Sequence, residues 1–401
     1  MKLLNLLSIA AIAVLSVSCY LGLPHEESPG GYRTVSSYDE LLSAVSNGKN
    51  VRLSNDILAD RLGYEGALMI RHSLTIDLNG KKLAFKNTGY DSYGYGIPDP
   101  SNPSFQPSGS IVVFPNTSLL ILGNRGSIES DFFTSVIDNY GTLVVESSAI
   151  TATGSNLLDN NGKTTINSGT FLSDEDIFDI SAKDASLIIN DGVFGNGPKS
   201  IIIESDANSQ NCFIEINGGE FNGISRLAGD IETIINDGCF ESYNTSLLVY
   251  SGKLVVRNGE FKSMNTVDWS AYDYVYINYP SDYLGLNGDI VIGAEDNPNG
   301  NPDVTIEESA SLSKGVFYYQ NSGLTKPLGS VIVPPSFAFT EVKDIKYARQ
   351  VQFAYEEDGK KINSSMAVLF MTKEKAESFK GVPGSVLESP ESIGPVYNYN
   401  W

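Results

Sequence analysis

The sequence predicts an all-β chain wound as a right-handed parallel β-helix, a single-stranded solenoid with a capping helix at its N-terminus and a small module at its C-terminus. Three observations carry that expectation. Closing apolar or aromatic residues recur at positions 150, 171, 194, 221, 240 and 261, spaced 21, 23, 27, 19 and 21 residues apart. The segments that end on them share columns of Asn, Gly and Phe, as in Ile166-Asn167-Ser168-Gly169-Thr170-Phe171, Ile189-Asn190-Asp191-Gly192-Val193-Phe194 and Ile216-Asn217-Gly218-Gly219-Glu220-Phe221. Between them lie short β-branched runs bounded by Gly, Asn and Asp, too punctuated for helices. Such a period means stacked units, none of which buries its apolar face alone. In a parallel solenoid each residue sits about 4.8 Å above its counterpart. Phe then stacks in the core, Asn side chains bond up a ladder, and Gly falls where the backbone needs positive φ. Strands of an antiparallel sandwich joined by Asn-Gly hairpins have no reason to keep these columns in register.

The elements follow in chain order. Met1-Lys2 precedes an apolar or small stretch, Leu3 to Ser18, interrupted only by Asn5. One positive charge and a short apolar core form a secretory signal pattern. The stretch is too short for a membrane span. It ends Leu15-Ser16-Val17-Ser18-Cys19, after which the chain turns polar with Pro and Gly. These residues resemble a bacterial lipoprotein signal, which implies removal of residues 1–18 and acylation of Cys19. Ser16, where an aliphatic residue is usual, departs from that pattern. By the same resemblance Tyr20, in place of Asp, directs the protein to the outer membrane. Glu26-Glu27 is similar to the acidic export signal of Bacteroidetes-type surface lipoproteins. The expectation is a lipid anchor at the outer membrane, on its periplasmic or cell-surface face, with residues 19–32 as a linker.

Ser37 and Glu40 form a capping box ahead of a short helix that stops at Gly48. The runs Val51–Ile57 and Leu74–Lys81 come next. At these residues the chain resembles bacterial pectin-lyase-like β-helix proteins, in which a small amphipathic helix covers the open edge of the first coil. The resemblance is architectural and implies a fold, not an activity. The β-helix is assigned to residues 33–322. Each middle unit offers two apolar runs, one such as Val136-Ile137, Leu157-Leu158 or Ile177-Phe178, the other such as Leu143–Val145, Thr164–Ile166 or Leu187–Ile189. Two Tyr-rich insertions interrupt the pattern, at residues 86–109 with Tyr93 and Tyr95, and at 264–285 with Trp269, Tyr272, Tyr274 and Tyr276. The repeat fades after residue 320, and residues 323–401 read as a C-terminal cap or small module, with β runs at Val351–Tyr355 and Met366–Met371 and a short helix near Lys373–Phe379. Cys212 and Cys239 occupy different repeat positions, so no disulfide is expected.

Composition narrows the function. The chain has 401 residues, with 27 Lys plus Arg against 48 Asp plus Glu and a formal charge of −21. Nucleic acid is therefore excluded as a partner, because it needs a basic surface. Two histidines leave little for His-based catalysis. No phosphate-binding Gly loop, nucleophile elbow or zinc spacing is present. Residues Glu295–Asn301 approach a calcium loop but lack the acidic twelfth position.

Three features remain. The outward stripe of the second run (Val144, Thr165, Ile188, Glu215, Ile234, Val255) holds one carboxylate and no base, which does not suit lyase chemistry. It is apolar enough to be covered, by the C-terminal module or by a partner. In the first run Asp138, Asp159, Asp179 and Glu204 take equivalent positions, followed by Arg226. Stacked carboxylates repel, raise one another's pKa or hold a cation, and they fall at glycosidase-like separations. The plainer expectation is that Asp138-Asn139 and Asp159-Asn160 cap their own turns. The column is also where a calcium ion would sit; no other cofactor is implied. The aromatic residues of the insertions either pack the loops down or stack against sugar rings. Together these features point to a cell-surface lipoprotein that binds polysaccharide or a surface protein without catalysis. The alternative is a polysaccharide hydrolase or lyase using the four carboxylates.

Overall fold

A computed structural model of the chain describes residues 31–60, 66–86, 109–130, 135–197, 200–242, 245–264, 274–276, 288–292, 302–319, 330–342, 347–357 and 360–370. Three sheets of parallel strands wind the chain into a β-solenoid. One coil runs from Ile137–Asn139 in sheet III through Thr142–Glu146 in sheet I and Ser148–Ala152 in sheet II, then returns to sheet III at Leu158–Asn160. Sheet I is an uninterrupted stack of 12 strands, from Arg33–Val35 to Val331–Ile332. The long strand Glu220–Leu227 bends through sheets II and III and joins them.

Two strands per unit are legible in the sequence; the structure has three. The extra sheet II strands carry one inward aromatic among outward polar residues, as in Glu220-Phe221-Asn222 and Cys239-Phe240-Glu241. No apolar run marks them. Their inward column is nonetheless the repeat itself: Ile128, Ile150, Phe171, Phe194, Phe221, Phe240 and Phe261 pair in register and are all buried. From Phe171 to Phe261 the rings stack at 5.0, 4.9, 4.5 and 4.5 Å between centroids. Stacking follows from strand spacing, since neighbouring parallel strands hold equivalent Cβ atoms about 4.8 Å apart. The glycine before each Phe is required. At Gly192 φ is +144°, and a Cβ there would lie 2.8 Å from the Phe194 ring.

The first coil is closed as expected. The helix Tyr38–Ser46 is capped by Ser37, whose hydroxyl accepts from the Glu40 amide at 3.4 Å. Glu40 reaches back one residue further than a standard box and accepts from the Ser36 amide at 2.7 Å and the Ser36 hydroxyl at 2.8 Å. Those bonds and Arg33 hold its carboxyl below the usual range. Leu41, Ala44 and Val45 seal the core from the end. The strand Arg33–Val35 ahead of the helix, which the sequence does not announce, adds to the edge of sheet I by pairing with Val51–Leu53.

At the other end the parallel pairing outlasts the sequence repeat. Val331–Ile332 continues sheet I, and Phe339–Val342 pairs with Val316–Tyr319 in sheet III. The two C-terminal β runs are one antiparallel hairpin, Tyr347–Glu357 with Lys360–Phe370. Its second strand also pairs with Tyr274–Tyr276 of the second insertion. The helix expected near residues 373–379 lies outside the described residues. Cys212 and Cys239 are free thiols, the first buried and the second exposed.

Candidate functional site

The four carboxylates stand in one column. Asp138 pairs in register with Asp159, Asp159 with Asp179, Asp179 with Glu204, and Glu204 with Arg226. Their strands place them on the outer face of sheet III because the residues before them (Ile137, Leu158, Phe178 and Ile203) point into the core. Above and below, the column turns apolar, with Val112 before Asp138 and Leu248, Val291 and Phe317 after Arg226. Those apolar members are buried even though they alternate with the core. Asp138 is buried with them, at 1 % exposure. Asp159, Asp179, Glu204 and Arg226 are half-buried, a charged window between two covered stretches.

Each member has its own environment. Asp138 accepts from the Gly109 amide at 2.9 Å and from the Ser135 hydroxyl. Asp159 accepts from the Asn156 amide group at 3.4 Å. Burial and the charges of Asp138 and Asp179 push its pKa up to about 8, against the opposing Asn156 and Ser135 bonds. Asp179 is raised by burial and by Asp206. Asp176, on the same strand, is raised to about 6 by burial and Asp179, with Arg226 opposing. Glu204 is paired with Arg226, whose Nη1 lies 3.3 Å from its Oε2. At neutral pH the window thus holds a protonated Asp159 two coils from an ion-paired Glu204. A proton donor and a carboxylate acceptor at that distance can bracket a polar ligand or a reacting bond.

In each Asp-Asn dipeptide the asparagine bonds across the turn that follows the strand: Asn139 accepts from the Gly141 amide and Asn160 from the Thr164 hydroxyl. Asn139 and Asn160 are fully buried and bond inward across the corner. Asn139 donates to Asn160 Oδ1 at 3.3 Å, Lys163 O at 3.0 Å and Thr164 Oγ1 at 2.9 Å, while its Oδ1 accepts from the Gly141 amide at 3.0 Å. The aspartates lie on the outer side of sheet III, Asp138 buried there and Asp159 half-buried. Tyr140 is the residue that sequence reasoning missed: burial and the nearby charges of Asp138 and Asp159 raise its phenol well above the usual value. Its place directly after Asp138-Asn139 is the available signal. Among the described residues no group of three or more His, Cys, Asp or Glu side chains is arranged to hold a metal ion.

Sheet I offers a different surface. Its outward column runs in register from Thr75 and Leu120 through Val144, Thr165, Ile188, Glu215, Ile234 and Val255 to Thr305 and Ile332. Among the described residues no strand of the C-terminal module pairs with or continues over this column beyond Val331–Ile332. The column is half-exposed along its length, Ile332 is 56 % exposed, and the C-terminal hairpin pairs instead with Tyr274–Tyr276. Beside it the amide ladder is realised. Asn167 donates to Glu146 at 3.0 Å, Asn190 to Asn167 at 2.7 Å, Asn217 to Asn190 at 2.9 Å and Asn236 to Asn217 at 2.7 Å. Arg257 closes it on Asn236 Oδ1 at 2.8 Å.

Of the aromatic residues expected to meet a ligand, Tyr274 and Tyr276 lie in the strand that pairs with the C-terminal hairpin. Tyr93, Tyr95, Trp269 and Tyr272, like Cys19 and the signal-like segment, lie outside the described residues, as does the loop Glu295–Asn301. No helix among the described residues is long and apolar enough to cross a membrane. Comparison with family models, with characterised proteins and with solved structures finds no match for this chain.

Proposed function

We propose that this protein is a non-catalytic, glycan-binding β-solenoid, held at the outer membrane by an acylated Cys19 and presenting sheet I to an extended polysaccharide. The amide ladder carries the reading. Within it Asn167, Asn190 and Asn217 each use one Nδ2–H and one Oδ1 lone pair. Each keeps a second N–H and a second lone pair for a ligand. The same donor–acceptor pair therefore recurs about every 4.8 Å along the solenoid. A half-exposed aliphatic strip lies directly beside it. A polyhydroxylated chain, with hydroxyls at its rim and C–H faces between, complements that repeat. The strip has one carboxylate, Glu215, whose Oε1 already accepts from Asn236 at 3.0 Å. Binding without turnover is the expected behaviour. The test is a glycan array read with the acylation-free protein, followed by Asn190→Ala and Asn217→Ala. Retention of a glycan without product release, lost in the double variant, supports the reading. Binding that survives the double variant overturns it.

One observation favours a second reading, hydrolysis at sheet III. Asp159 is protonated near neutral pH while Glu204 sits beside Arg226. Two coils separate them by about 10 Å, just beyond the spacing of about 6.5–9.5 Å of inverting glycosidases. Asp159 would protonate the leaving glycosidic oxygen, and Glu204 would take the proton of the water that adds to the anomeric carbon. Release of reducing ends that stops with Asp159→Asn and with Glu204→Gln is the outcome that would select it.

A further inference from the structure

We propose that the bulged corner of sheet I around Phe213 is a subsite for a single uncharged or amine-bearing sugar ring, stacked on Phe213 and refusing uronic acids. This rests on the glycan-binding reading above and specifies its sugar class. The strand Gln210–Ile216 departs from the solenoid's regular register: pairing with Asp230–Ile235 shifts between Gln210 and Cys212. Asn211 occupies the extra position at φ +55°. Such a bulge adds a residue to one strand, bends it and re-aims the neighbouring side chains. Cys212 still points inward, donating through Sγ to Ala182 O at 2.9 Å, so Phe213 is turned outward.

Phe213 is foreign to its column. Its neighbours in register are Ser186 on one side and Glu232, Lys253 and Asp303 on the other. A half-exposed phenyl ring there has no apolar partner along the column. It lines an open groove of about 890 Å³, together with Asn211, Asp230, Glu232, Lys253 and Asp303. That volume is in the range of small-ligand sites. One aromatic face with a rim of amide and carboxylate groups is the chemistry that holds a sugar ring, C–H face to the phenyl and hydroxyls to the rim.

The charge sets the class. Among the described residues lining the groove, Asp230, Glu232 and Asp303 stand with one cation, Lys253, whose Nζ is already 2.6 Å from Glu232 Oε1. That pair raises the Lys253 pKa and keeps it occupied. A ligand carboxylate would meet uncompensated like charge, whereas a neutral ring or an ammonium would not. The groove also lies on the same strand as the ladder: Phe213, Glu215 and Asn217 alternate outward across sheet I. Phe213 lies four residues, about 13 Å, along the strand from the Asn217 column, so the ring forms a separate subsite to one side of the ladder.

Calorimetric titration of the full chain with three probes tests this: N-acetylated chito-oligosaccharide, its deacetylated amine form, and oligogalacturonate. The first two are expected to bind and the third not. Phe213→Ala weakens binding about tenfold, and Phe213→Tyr restores it. Glu232→Gln weakens the amine form more than the acetylated one. Unchanged binding by a folded Phe213→Ala, or preference for oligogalacturonate, overturns the proposal; if the Ala variant fails to fold, Phe213→Leu serves in its place. Binding lost in Asn217→Ala but kept in Phe213→Ala ends this inference and leaves the glycan reading standing. A chain that retains an array glycan yet binds none of the three probes does the same.

Discussion

Replacing Asp159 by Asn removes the centre of the carboxylate column while keeping its size and one hydrogen-bonding oxygen. In the folded protein the Asp159 pKa is about 8, against 3.8 for the free side chain. Its causes are burial first, then Asp138 and Asp179. The sign comes from proton counting. Between these two values the native state holds a proton that the unfolded chain has released, so stability falls as pH rises. Below about pH 4 the group contributes no penalty, and above about pH 8 the loss is complete. Each pH unit inside the window costs at most about 1.4 kcal/mol. Between pH 5 and pH 8 the wild-type chain should therefore lose about 2–4 kcal/mol, with Asp179 and Asp176 adding in the same direction. Asp159→Asn cannot ionise. It should be near parity with wild type below about pH 4, more stable by about 1–2 kcal/mol at pH 5 and by about 4–5 kcal/mol at pH 8, and flatter between. Urea midpoints of both proteins at pH 5, 6, 7 and 8 measure this directly. A wild-type midpoint that stays level, or a variant slope as steep as the parent's, would refute the reasoning and remove the protonated donor from the window.

Other outcomes rest on the same geometry. Phe221 sits between two stacked rings, 4.9 Å from Phe194 and 4.5 Å from Phe240, so Phe221→Ala should cost about 3–5 kcal/mol in denaturant unfolding, and Phe221→Leu distinctly less. Gly169→Ala places a side chain at φ +148° and hard against Ser148 O; a destabilisation of about 2 kcal/mol or more is expected by thermal melting. In native protein a thiol reagent should modify Cys239 slowly, because burial and Glu260, Glu241 and Glu220 raise its pKa, and Cys212 only after unfolding. Equal thiol counts for the two with and without prior reduction check that they are unpaired. Arg226→Met removes the cation beside Glu204 and Asp176 and should raise the apparent pKa of the window, read as a pH titration of the Tyr140 environment by ultraviolet difference spectra.

Local chemistry and periodicity are enough to specify the winding. Phe171 to Phe261 recur at coil length, each two residues after a glycine that tolerates positive φ, and equivalent residues of a parallel stack must then coincide. The same rule places Asp138, Asp159, Asp179, Glu204 and Arg226 in one column from the sequence alone. What periodicity does not carry is which outward positions are covered. Asp138 and Asp159 are equivalent in sequence, yet one is buried to 1 % exposure and the other is half-buried. The difference comes from neighbouring coils: the Gly109 amide, itself remote in sequence, seats Asp138. Likewise nothing local marks Asn211 as a bulge. Its extra residue is an extra only against the register of Asp230–Ile235. The sheet II strands leave no strand signature because a single inward Phe per strand makes no apolar run. The pairing of Tyr274–Tyr276 with Lys360–Phe370 joins segments that share no pattern. Repetition along a chain dictates what stacks on what. Burial, charge proximity and strand register depend on what folding brings alongside from elsewhere, and those decide where a proton is held and which face meets a ligand.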